Sequence, residues 1–380
     1  MNLLDVYSSY NVNPVSGKGC YLELKDGTQV LDLYGGHGVI SIGHNHAVFA
    51  NNLKHQIDAL IFYSNAVENP LQKKLADHLG RLSTCERYDL FLCNSGAEAN
   101  ENALKLASFT TGKSKVIAFE NSFHGRTSAA VASTDIDKIV SPLNSQHKVE
   151  FIALEDKVAL ENCLSKGDVC AVIIEGIQGV GGLDEASTGF FQFLEIKCKE
   201  YGALLILDEV QSGYGRTGKF FAHQHHDISP DIITIAKGMG NGFPIAGVIV
   251  DKEIPVQKGM LGTTFGGNHL ACTAGLSVLN VLESEQLMDN VSKISSYLKA
   301  KLEAIEEVKK VKGKGLMLGL EFEFEVVELR NQLLYDFNVF TGGSSHPNLL
   351  RILPPLTIKE LEIDQFIHAL KDALITMNHA

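Results

Sequence analysis

Three polar segments each follow directly on a short apolar run, and each carries a side chain suited to a different part of one reaction. Behind DIITIA stands Lys237, followed by a glycine-rich turn. Burial at such a place lowers an amine's pKa and yields the neutral nucleophile that attacks carbonyl carbons. Taken alone, a lysine that lays its methylenes on apolar surface and keeps its charge in water is the commoner case. Behind ALLIL stands Asp208, with Glu209, Val210 and Gln211 after it. A carboxylate buried there needs a cationic or hydrogen-bonding partner, although an exposed acid at a strand end is again the commoner case. Behind YDLFLC comes Asn94-Ser95-Gly96-Ala97, which opens a helical pattern. A small-residue turn running into a helix N-terminus offers free N–H groups and a positive dipole end, which suits a phosphate. It is equally an ordinary helix cap made by Ser95.

Hydrophobic patterns reveal the strands and helices around these groups. Apolar runs at 88–93, 115–119, 169–174, 203–207, 231–236 and 244–250 are short, aliphatic or β-branched, and continuous. Strands buried on both faces have this character. Helical patterns at 97–109 and 190–201 lie between them, so the fold class is α/β with a mostly parallel sheet. In such sheets ligands bind beyond the carboxyl ends of the strands, where all three segments fall. The ends of the chain differ. Residues 20–34 predict a hairpin around Asp26-Gly27. From 271 a long helical stretch leads to 316–325, which alternates like a half-exposed strand, and 357–378 is helical again. The basic run at 309–314 reads as a solvated turn. This organisation divides the chain into an N-terminal segment, 1–50, contributing to a small α+β domain, a large domain, 51–270, and a C-terminal part of the small domain, 271–380.

A phosphate cradle, an acid and a lysine at three strand ends are together what pyridoxal 5′-phosphate requires. The lysine forms an imine with its aldehyde, the acid keeps its ring nitrogen protonated, and the helix N-terminus holds its phosphate. The ordered segments SGAEAN (95–100), FHGRT (123–127), LDEVQSGYGRTGKFFA (207–222), DIITIAKGMGNGFPI (231–245) and TTFGGN (263–268) lie between YLELKDGTQVLDLYGGHGVISIGHNH (21–46) and RILPPLT (351–357). Through them the chain resembles the class III, fold type I, pyridoxal-phosphate-dependent aminotransferases over almost its whole length, and most of all their acetylornithine/succinylornithine group. The resemblance implies roles residue by residue. Lys237 and Asp208 are the catalytic pair. Ser95, Gly96 and Ala97 lie at the phosphate, Phe123 stacks on the ring, Val210 packs behind it and Gln211 reaches its phenolic oxygen. Thr264 binds the phosphate held by a neighbouring subunit, which makes the enzyme a homodimer. Arg126 clamps the α-carboxylate of an ornithine-type donor, and Arg351 takes the α-carboxylate of glutamate and 2-oxoglutarate. Glu175 belongs with the substrate-binding residues. The implied reaction moves the δ-amino group of N2-acyl-L-ornithine, acetyl or succinyl, to 2-oxoglutarate in arginine metabolism, giving N-acylglutamate 5-semialdehyde and glutamate, with Lys237 carrying the proton.

One segment departs from the pattern. Where relatives have E-P-x-x-G-E-G-G, this chain has Glu175-Gly176-Ile177-Gln178-Gly179-Val180-Gly181-Gly182. In relatives the second glutamate pairs with the counterpart of Arg351. With Val180 in its place, Arg351 is expected to lie uncovered or to take another partner, and the lost negative charge admits an acidic acyl group such as succinyl. Other readings keep the class and change the substrate to ornithine, 4-aminobutyrate or another ω-amine. Two arginines favour a donor with its own α-carboxylate, since a guanidinium grips a carboxylate bidentately. An aminomutase, a cofactor-binding relative without catalysis, and a metal hydrolase built on His223, His225, His226 and Asp227 are more distant alternatives.

Composition bounds the rest. A net charge of −12 over 380 residues argues against nucleic acid or an anionic membrane as partner. No apolar run has the length of a bilayer span, and the first residues lack a secretory pattern. Seven cysteines without a C-x-x-C pair read as reduced core residues of a cytoplasmic protein. Gly213 to Gly218 match G-x-G-x-x-G but do not open a helix directly behind a strand, and Gly112-Lys113-Ser114 lacks the first glycine of a P-loop. His44 and His46 fall in a Gly/Asn turn, and neither histidine group has the i, i+4 spacing of a helical metal site. No metal is expected.

Overall fold

The continuous apolar runs form the centre of the molecule. In the computed structural model, which describes residues 1–378, β1 (Pro14–Lys18), β2 (Tyr21–Leu24) and β3 (Gln29–Asp32) make an antiparallel N-terminal sheet. Its hairpin turns at Asp26-Gly27, where Gly27 adopts φ 89° and Asp26 Oδ1 accepts the Thr28 N–H at 3.0 Å. Next come β4 (Tyr88–Cys93), β5 (Lys115–Phe119), β6 (Val149–Ile152), β7 (Val169–Glu175), β8 (Leu204–Asp208), β9 (Ile232–Ile235) and β10 (Ala246–Asp251). They form one sheet in the order β4-β10-β9-β8-β7-β5-β6, in which β10 alone runs against its neighbours.

Strands β7 and β9 are buried at every residue because helices cover both faces. Successive side chains of β7 point to opposite faces. Ala171 and Ile173 pack with Ala103 and Ala107 of the helix Gly96–Thr111. Val172 and Ile174 pack with Phe190, Phe191 and Leu194 of the helix Thr188–Tyr201. Each large side chain so buried contributes about 1.5–3 kcal/mol. Strand β6 has no continuous apolar run because it lies at the sheet edge beside β5 alone, half-buried, with Glu150 between Val149 and Phe151.

The C-terminal third adds β11 (Lys310–Lys314), β12 (Met317–Glu321), β13 (Val339–Phe340), β14 (Gly342–Gly343) and β15 (Leu349–Ile352). A third sheet has the order β11-β12-β15-β14, while β13 joins the N-terminal sheet in parallel with β3. Three expectations need correction here. The basic run is strand β11, not a turn: Lys312 and Lys314 lean on Asp184 at 2.7 Å and Glu185 at 2.6 Å, and lysines are well tolerated on an edge strand. Strand β12 is buried from Met317 to Leu320 rather than half-exposed, because both of its faces are covered. The long helical stretch is two helices, His269–Ser284 and Leu287–Leu302, broken at Gln286 with φ 50°. The last helix spans Glu360–Asn378. All seven cysteines are buried and free. No helix among the described residues is long and apolar enough to cross a membrane.

Candidate active site

Parallel pairing brings the carboxyl ends of β4, β5, β7, β8 and β9 to one edge of the central sheet. In register there, Glu175 pairs with Asp208 and Asp208 with Thr234, three residues before Lys237. A cavity of about 360 Å³ opens over this edge, and Lys237, Asp208, Glu175, Phe123 and Arg126 all line it.

Asp208 is buried and held by three donors. Its Oδ2 accepts His124 Nδ1 and Asn100 Nδ2, both at 2.7 Å, and its Oδ1 accepts the Val210 N–H at 3.0 Å. An ionised carboxylate only accepts, so the Nδ1 of His124 carries a proton. Asn100 is fixed in turn: the Thr234 hydroxyl donates to its Oδ1 at 2.6 Å, and its Nδ2 also reaches the His124 carbonyl at 2.7 Å. Lys237 adopts φ 47°, a left-handed conformation that costs a non-glycine residue about 1–2 kcal/mol. Burial lowers its amine to about 8, with the charge of Arg351 adding to the effect and Asp208 and Glu175 opposing it. Glu175 accepts the Phe123 N–H at 2.9 Å and the Gly179 N–H at 2.8 Å. Burial pushes its carboxyl well above the usual carboxylate range, against the opposing pull of His124.

Other sequence-derived residues take distinct places. Ser95 caps the helix Gly96–Thr111, its Oγ accepting the Glu98 N–H at 3.2 Å. Gly96 packs so tightly on Val210 that a Cβ would meet Val210 Cγ1 at 2.6 Å, while Ala97 lines the cavity beside it. Gln211 donates from Nε2 to the His37 carbonyl at 2.9 Å, and its Oε1 is buried without a partner. Arg126 is exposed at the cavity rim. Arg351 does not line the cavity. It is buried behind Gly179 and donates to the Gly179 and Gly343 carbonyls. Backbone carbonyls are thus the partners it finds with Val180 where relatives have a glutamate. The other departure in that segment has a spatial cause: a Cβ at Gly176 would meet Ala222 Cβ at 2.6 Å, so a proline does not fit there. Thr264 is exposed and lies outside the cavity.

Asn100, Thr234 and His37 carry no local signal of their part, because their hydrogen bonds run to residues remote in the chain. The histidine cluster holds the fold: His223 Nδ1 pairs with Glu209 at 3.0 Å, and His226 Nε2 pairs with Glu185 at 3.1 Å. Arg216, inside the glycine-rich match, is buried and donates to the Leu316 and Pro354 carbonyls.

The residues present fit pyridoxal 5′-phosphate. Two buried polar atoms at the cavity, Gln211 Oε1 and His124 Nε2, lack partners within the protein. The amine, the oriented carboxylate and the capped helix N-terminus surround the same space. Comparisons with known proteins agree. The family described as aminotransferase class-III matches residues 6–374. The acetylornithine aminotransferase of Bacillus subtilis is 40% identical, over 98% of this chain and 97% of that protein. The acetylornithine aminotransferase of Aquifex aeolicus is also 40% identical, over 98% and 99%. Among solved structures, the N-acetylornithine aminotransferase of Stenotrophomonas maltophilia superposes with a TM-score of 0.83 at 31% identity, over 98% of this chain and 97% of that one. The ornithine aminotransferase of Toxoplasma gondii superposes with a TM-score of 0.91 at 27% identity, over 100% and 94%. The chain belongs to the class-III aminotransferases, a family that works with pyridoxal 5′-phosphate.

Proposed function

We propose that this aminotransferase moves the δ-amino group of an N2-acyl-L-ornithine to 2-oxoglutarate, giving N-acylglutamate 5-semialdehyde and glutamate. The observation that carries the reading is its near full-length similarity to acetylornithine aminotransferases. Pyridoxal 5′-phosphate supplies an aldehyde that captures amines and a ring that stores electrons. Every other part falls to the chain. Lys237 presents an amine that is partly neutral at physiological pH, which would hold the aldehyde and can move the proton at the substrate's δ-carbon. Asp208 holds a proton on the ring nitrogen, oriented by His124 and Asn100. Ser95, Gly96 and Ala97 hold the phosphate at the helix N-terminus. Phe123, Val210 and Gln211 line the same cavity and would hold the ring, with the unpartnered Gln211 Oε1 available to it.

Arg126 binds the donor's α-carboxylate, and Arg351, buried behind Gly179, has to exchange its bond to the Gly179 carbonyl for the α-carboxylate of glutamate or 2-oxoglutarate; Glu175 holds the Phe123 and Gly179 backbone in place. Thr264 serves the phosphate site of a second copy. The exposed apolar side chains Ile57, Leu60, Ile61, Tyr63 and Phe265 support such a homodimer. Free cysteines suit the reducing cytoplasm.

The test is a panel of N2-acetylornithine, N2-succinylornithine, ornithine and 4-aminobutyrate with 2-oxoglutarate, scored by glutamate formed. The acylornithines should give the highest kcat/KM. A higher value for ornithine or 4-aminobutyrate overturns the substrate assignment, and turnover without any 2-oxo acid points to a mutase. Val180 favours the succinyl compound as well as the acetyl one. A clear preference for acetyl counts against that part.

A further inference from the structure

Arg126 sits between two anchor points on one helix. Before it, Gly125 (φ 137°) lies so close to the helix Gly96–Thr111 that a Cβ would meet Ala97 Cβ at 2.7 Å. After it, three donors converge on one carboxylate of the same helix, that of Glu101. The Thr127 hydroxyl donates to Oε2 at 2.8 Å, the Ala129 N–H reaches both oxygens at 3.0 Å, and the Ala130 N–H reaches Oε2 at 3.1 Å. Thr127 makes no side-chain cap for the short helix it precedes, so Glu101 does that work from another element. Ala97 and Glu101 are four residues apart and share a helix face. The backbone on both sides of Arg126 is therefore docked to one rigid surface, which also opens beside the phosphate cradle. Arg126 itself is exposed at the cavity rim, and no ion pair joins it to Glu101 among the described residues.

We propose that Glu101 is a positioning residue for the donor half-reaction, one that sets where the Arg126 guanidinium meets the substrate's α-carboxylate. This rests on the role given to Arg126 above. The carboxylate acts through geometry: it accepts from the turn on either side of the short helix start and makes no ion pair with Arg126 among the described residues. A glutamine keeps one accepting oxygen and turns an NH2 toward N–H donors, which opens the turn without changing the volume. Small displacements of a clamping group are costly, with about 1 Å worth up to about a hundredfold.

The experiment measures the steady-state kinetics of the holoenzyme with N2-acetylornithine as donor and 2-oxoglutarate as acceptor, in wild type, E101Q, R126A and the double variant. We expect E101Q to raise the donor KM about tenfold and to leave the acceptor KM unchanged. The double variant should be no worse than R126A alone, because a residue acting through Arg126 has nothing left to position. If R126A raises the donor KM and E101Q does not, Glu101 has no such part while the reading of Arg126 stands. If R126A leaves the donor KM unchanged, the reading of Arg126 fails and takes this inference with it. Losses that multiply in the double variant, or that fall equally on both substrates, mean that Glu101 only supports the fold and overturn the proposal. Should E101Q not fold, E101D, which keeps both oxygens but withdraws them by one methylene, is expected to give a smaller rise confined to the donor.

Discussion

Asp208 and Glu209 are consecutive acids, both buried, each paired with the Nδ1 of a buried histidine, yet they belong to different regions. Asp208 ends β8 facing the cavity, and its histidine, His124, keeps an Nε2 without a partner. Glu209 points the other way into packed structure. Its Oε1 accepts the N–H and Nδ1 of His223, and its Oε2 accepts the Ser212 hydroxyl and the Ala222 N–H. One carboxylate is oriented and left beside open space; the other is closed on all sides. The pair teaches that burial and a histidine partner do not mark a functional acid. What distinguishes the two is whether a reacting group has room beside it.

Four experiments test this contrast, in order of decreasing effect. Asp208→Asn should lower kcat by about a thousandfold and cost about 1–3 kcal/mol in thermal unfolding of the cofactor-free protein, because the new NH2 must face one of the three donors that hold the carboxylate. A loss of stability with little loss of kcat would show that Asp208 is as structural as its neighbour. Glu209→Gln should do the reverse: breaking one partner of a buried pair costs about 3–5 kcal/mol in denaturant unfolding, with the kcat of the folded fraction nearly intact. Gly176→Ala places a Cβ 2.6 Å from Ala222 Cβ and 3.5 Å from Glu209 Oε1. It should cost about 1–3 kcal/mol by overpacking, and adding Ala222→Gly should recover most of that. Without such rescue the strain has another source.

The smallest effect is a slope with pH. The folded value of Lys237, about 8, lies below the ordinary lysine value of 10.5. Between the two the unfolded chain binds more protons, so this lysine makes the cofactor-free protein more stable as pH rises through that window. Lys237→Met should remove that part of the slope in unfolding curves taken from pH 7.5 upward in steps of about half a unit. A slope that survives belongs to other groups.

The sequence discloses the cavity side of this contrast better than the other. Runs such as VCAVII and DIITIA announce strands because nothing polar interrupts them, and a parallel sheet then puts the residues behind each run at one edge. Lys237, Asp208 and Glu175 are legible for that reason. Glu209 is not, because its shell comes from residues 212 to 223, whose return to β8 depends on a turn containing Tyr214 at φ 56° and Gly215 at φ 83°. Asn100 and Thr234 escape notice in the same way: each is an ordinary polar residue until folding sets it beside Asp208. Strand β6 and strand β11 are missed because edge strands need only half their residues to be apolar, which erases the pattern used to find them.

The parallel pairing of β13 with β3 has a consequence for how the chain comes together. Leu31 and Leu33 donate their N–H groups to the Asn338 and Phe340 carbonyls, and Leu353 returns to the Leu33 carbonyl. The outer strand of the N-terminal hairpin is made about 300 residues before the strand it pairs with. Contacts this distant in sequence form late because closing a long loop is slow. The strands of the central sheet all lie between these two partners in sequence, so the sheet has shorter loops to close than the pairing of β3 with β13 does.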